Sequence, residues 1–123
     1  MKFHNKILAI LSGDMFEKLG VSPEDVDRIK VMFVWEHDGV SENGIFTRKD
    51  TQNLWKNTFW KRHGIYPNSV TIYRIPIGDY TYEIDISESD MIPITTKLKE
   101  GVIVGKAPDI SRIVEGYLEK YQE

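Results

Sequence analysis

His4, His37 and His63 are the chain's histidines, and cysteine is absent. The three imidazoles belong to different predicted elements and have no ligand-like spacing, so they define neither a metal set nor an acid–base pair. Glu36-His37-Asp38 gathers polar groups in a turn, where such clusters are ordinarily solvated. Its acids do not alternate before a glycine as a calcium loop requires. Gly101-Val-Ile-Val-Gly105-Lys106-Ala107 has three residues between its glycines and Ala after the Lys, whereas a phosphate loop needs four and a Ser or Thr. Those glycines read as brackets around a buried strand. None of Ser12, Ser22, Ser41, Ser69, Ser87, Ser89 or Ser111 sits in a Gly-x-Ser-x-Gly elbow. The lack of Cys removes thiol catalysis, iron–sulfur clusters and disulfide scaffolds together. No catalytic residue, metal site or cofactor is expected.

Binding chemistry is easier to place. On a helix over 48–63, Leu54, Trp55, Thr58 and Phe59 share one side, and Trp60 projects nearly opposite to it among Lys49, Asn53, Lys56 and Asn57. An aromatic anchor on a basic, amide-bearing face suits burial by a protein partner, or base stacking with phosphates on the lysines. The plainer alternative covers Trp60 in a minor core or under the 66–69 loop. A second candidate is an acidic rim, Glu83, Asp85, Glu88 and Asp90, on and after the outer strand of a hairpin. It could meet a cationic protein, although acids on a strand edge usually serve only to discourage aggregation. An exposed edge could also join two copies into a homodimer.

Gly44-Ile45-Phe46-Thr47, Val70 to Ile77 and Val104 to Ile110 resemble the second half of small ADP-ribosyltransferase-like domains. That resemblance implies NAD held between a His- or Arg-bearing first strand and a later catalytic Glu. Lys2-Phe3-His4-Asn5 would have to supply the first motif, yet its periodicity is helical, and no Glu matches the catalytic position. A small NAD-dependent transferase is therefore the second reading and a nucleic-acid-binding module the third. The first is a non-catalytic protein that binds and occludes or scaffolds a protein partner, in the manner of small phage or mobile-element effectors.

The elements that must position these residues follow from periodicity. Phe3, Ile7, Leu8, Leu11, Met15 and Leu19 mark a helical stripe over 2–19 that Ser12-Gly13 can interrupt. Ser22-Pro23 restarts a helix over 23–29. Lys30 to Glu36 is a short apolar run between charges, read as a buried central strand, and 37–44 is read as a polar loop because of Asp38-Gly39 and Asn43-Gly44. Gly78-Asp79 divides a hairpin over 70–77 and 80–86. A register summing to 157 places Tyr73, Ile75 and Ile77 opposite Ile84, Tyr82 and Tyr80, and Arg74 opposite Glu83. A short strand over 102–104 and an amphipathic helix over 109–121 complete an α+β fold, a small, mostly antiparallel sheet packed by helices.

With 123 residues and 41% hydrophobic content, the chain suits one domain, 1–123, able to build a core without staples. No apolar run approaches the length that spans a bilayer, and Met1-Lys2 opens no secretory pattern, so a soluble, cytoplasmic protein is expected. The net charge of −3 is uneven. Residues 45–64 hold five cations against Asp50, a local +4, which leaves −7 elsewhere.

Overall fold

A computed structural model describes residues 2–51, 64, 66–90 and 92–120. Six strands form one antiparallel sheet: β1 (Lys30–His37), β2 (Val40–Thr47), β3 (Ser69–Ile77), β4 (Tyr80–Ser87), β5 (Ile94–Lys99) and β6 (Val102–Lys106). Their order is β2-β1-β3-β4-β5-β6. Helices α1 (Lys2–Ile10), α2 (Gly13–Lys18), α3 (Pro23–Val26) and α4 (Pro108–Glu119) flank the sheet in the chain, and residues 48–51 add a helical turn after β2. The α+β architecture expected from periodicity is the one observed.

The register shows why one face is core. Phe46, Val31, Ile72, Ile84 and Thr95 form a row across five strands, and the last four are buried. The neighbouring row, Ile45, Met32, Thr71, Asp85 and Ile94, turns to the other face and is exposed or half-buried. Alternation along each strand separates the two rows. Val31, Ile72 and Ile84 of that row belong to one core with Phe3, Ile7, Ile10, Met15 and Phe16 of the N-terminal helices, Leu11 between them, and Val114 and Leu118 of α4.

Ser12-Gly13 interrupts the N-terminal stripe as its composition suggests, dividing it into α1 and α2. At the end of α2, Gly20 at φ 93° lets its N–H donate to Glu17 O at 3.0 Å, and Val21 N–H donates to Phe16 O at 3.1 Å. These two bonds define a Schellman ending, and both Val21 and Phe16 are buried. The predicted 23–29 helix is shorter, ending at Val26. At the far end of the chain, Ser111 Oγ donates to Thr95 Oγ1 at 2.7 Å and Ala107 N–H to Thr95 O at 3.0 Å, which ties α4 to β5. Val114, Tyr117 and Leu118 carry the expected stripe of α4, whereas Ile113 is 42% exposed.

Four expectations are corrected. Residues 40–44 are strand, not loop: Asp38 (φ 53°) and Gly39 (φ 79°) alone make the turn, and β2 continues through Asn43-Gly44. Gly44 is there for space, since a Cβ would lie 2.9 Å from Phe46 Cε2 and 3.3 Å from the Trp35 ring. β1 is buried on one face only, with Val31 and Phe33 inward and Met32 and Val34 half-exposed. The 157 register holds from Ile77↔Tyr80 to Ile75↔Tyr82, then shifts by one at a bulge, so that Ile72 rather than Tyr73 faces Ile84. Arg74, at φ 48°, absorbs the extra residue and forms no ion pair with Glu83. Finally, the 102–104 strand is not buried: β6 is an edge.

Candidate functional site

A side-chain cap opens the basic segment. Thr47 Oγ1 accepts from Asp50 N–H at 3.1 Å, and residues 48–51 are helical. Lys49 is exposed on that turn. Asn53, Lys56, Asn57 and Trp60 lie outside the described residues.

Arg48, counted among the basic residues of this segment, is not a surface charge. Its side chain is buried, with Nη1 donating to Leu11 O at 2.9 Å, Nε donating to Val26 O at 3.1 Å, and Nη2 paired with the Asp27 carboxylate. Those carbonyls follow or end α1 and α3, where helical C=O groups lack partners of their own. One guanidinium thus joins two helix ends to the strand-to-helix junction after β2. Its five donors suit that task better than an ammonium would.

The acidic residues do not form a rim on an edge. β4 is paired to β3 on one side and β5 on the other, so Glu83 and Asp85 project from the sheet face away from the core. Asp85 accepts from Thr71 Oγ1 at 2.6 Å and, with Asp90, lines a depression of about 170 Å³. Glu83 belongs to a separate hollow beside Arg74, Leu98 and Glu100. Glu88 follows in the turn, where its N–H donates to Asn68 O at 2.8 Å. Asp85 and Asp90 are therefore brought together, and Glu83 stands apart.

A cleft of about 440 Å³ between β5 and α4 has Ile92, Pro93, Ile94, Lys106, Arg112 and Glu115 among its lining residues. Among the described residues no group of three His, Cys, Asp or Glu side chains could hold a metal ion. None of their helices is long and apolar enough to cross a membrane. Lys2 to Asn5 form part of α1, so the strand that the ADP-ribosyltransferase resemblance requires at the N-terminus is helix.

The feature that the sequence reading missed is the β6 edge. Val102, Ile103 and Val104 are 65%, 68% and 54% exposed, and among the described residues only β5 pairs with this strand. Three consecutive β-branched residues between glycines were a visible signal, but burial and exposure give the same composition in so short a run. An edge strand with open backbone groups and apolar side chains is able to accept another strand. Compared with protein-family models, curated proteins and solved structures, the chain matches none.

Proposed function

We propose that this chain is a non-catalytic, intracellular protein-interaction domain that docks a polypeptide on the free edge of β6. The observation that carries the reading is the exposure of Val102, Ile103 and Val104 on a strand that, among the described residues, is paired on one side only. Backbone hydrogen bonding would give affinity, and the alternating side chains would give selectivity. The rest of the fold supports such a role by rigidity: β3, β4 and β5 are each paired on both sides, and α4 is bonded to β5 next to the edge.

Cross-linking in cells of the native host tests this. The wild-type chain should cross-link through Lys99 or Lys106, which lie on either side of the exposed 102–104 run, to a second polypeptide, either a foreign protein or another copy. Ile103→Lys should lose that adduct while keeping the fold. Trp60→Ala, altering the aromatic residue of the basic segment instead, should retain it. Equal cross-linking by wild-type and Ile103→Lys chains would remove β6 as the docking edge.

A further inference from the structure

We infer that β6 pairs with β6 of a second copy of this chain, antiparallel and centred on Ile103, joining two six-stranded sheets across a twofold axis. This rests on the reading of β6 as a docking edge and names the occupant.

The backbone points the necessary groups outward. Lys99 and Val102 face each other across the two-residue turn Glu100-Gly101, whose φ values are 52° and 81°. Both positive values identify the type I′ hairpin, in which the closing pair exchanges two hydrogen bonds. The next pair, Leu98 and Ile103, is then a non-hydrogen-bonded one. Ile103 therefore directs its N–H and C=O away from β5, toward the open edge. A twofold axis at Ile103 lets the two copies exchange those bonds reciprocally.

The side chains fit the same axis. Glu100-Gly-Val-Ile103-Val-Gly-Lys106 is symmetric in its apolar residues and opposite in charge at its ends. Self-pairing centred on Ile103 sets Val102 against Val104 and brings the Glu100-Gly101 turn of each copy beside Gly105 and Lys106 of the other, each twice. Glu100 and Lys106 are exposed, and neither is in an ion pair among the described residues; Lys106 Nζ reaches only Thr96 Oγ1 at 3.5 Å. The register between β5 and β6 shifts at Val104, a bulge of the kind that often protects an edge. It leaves 102–103 regular, and the long Lys106 side chain spans a one-residue offset. The opposite edge lacks this match: β2 contains no cation, and its one acid, Glu42, accepts from Trp35 Nε1 at 2.9 Å.

So short a ribbon implies a reversible dimer, with Kd of order micromolar or weaker. Sedimentation equilibrium on the purified full chain, from about 5 to 500 µM, reads it. The mass should rise with concentration from 14.3 kDa toward twice that value and stop there. Ile103→Lys should weaken association at least tenfold. Glu100→Lys and Lys106→Glu should each weaken it, and the double variant should restore it. Circular dichroism checks each fold. Should a variant not fold, exchange of the wild-type Ile103 amide decides, since it must slow as concentration rises.

A wild-type chain that stays monomeric throughout, or one that assembles beyond a dimer, overturns the self-pairing. So does a dimer that Ile103→Lys leaves intact. If the wild-type is monomeric but loses a cellular adduct on Ile103→Lys, the docking edge stands and only its occupant is wrong. If no adduct depends on Ile103 either, both fall.

Discussion

Arg48 shows how little residue type says about role before the contacts are known. In the sequence it adds to a basic stretch; in the fold it is a buried connector between Leu11 O, Val26 O and Asp27. Truncation would leave carbonyls short of a donor and Asp27 without its cation, a loss of charge-assisted hydrogen bonds with few substitutes. Arg48→Ala should therefore lower stability by about 3 kcal/mol in urea unfolding, with Arg48→Lys recovering less than half because an ammonium cannot span three acceptors. Asp27→Asn should cost about 1 kcal/mol or less, since that carboxylate is half-exposed. Gly44 presents the converse case, in which the missing side chain is the function. Gly44→Ala sets a Cβ 2.9 Å from Phe46 Cε2, and displacing that ring should cost about 1–2 kcal/mol in the same assay.

Elements were legible where one physical signal dominated. The Gly78-Asp79 hairpin and the α4 stripe each combine burial on one side with a clear start or stop, and both are found. β2 was not legible because an edge strand carries polar residues on either face, and the glycine that looked like a turn is a packing accommodation. The bulge in β3 was hidden for another reason: Ile72, Tyr73 and Ile75 are all good strand residues, and only the neighbouring strand decides which of them turns inward. The placement of the acidic residues on an edge is corrected at this level too, since the second strand of the hairpin, β4, is an inner strand. Arg74 now supplies a test of the bulge. At φ 48° its Cβ is strained, so Arg74→Gly should be neutral to stabilising by up to about 1 kcal/mol, whereas Arg74→Val should destabilise by about 1–2 kcal/mol. A regular ribbon at this point would give the reverse order in thermal unfolding.

Across the whole molecule, pairing and burial grade from the centre of the sheet outward. β3 and β4 have neighbours on both sides and contribute Val70, Ile72, Ile84 and Ile86 to the core, whereas β2 is largely exposed and, among the described residues, bonded only to β1. Local opening should follow that gradient, because separating an edge strand exposes little apolar surface and opening the centre exposes the core. Hydrogen exchange should accordingly find the slowest amides in β3 and β4, and the β2 amides bonded to β1 exchanging at least about 100-fold faster. Uniform protection would mean that β2 unfolds only with the whole sheet, contrary to the exposure of its side chains. β6 is the informative exception. In dilute solution it should exchange like β2, the other edge, and a partner on β6 should slow β6 while leaving β2 unchanged. The two edges thus provide an internal comparison: a change confined to β6 locates docking there, whereas equal slowing of both would indicate a general stabilisation of the sheet.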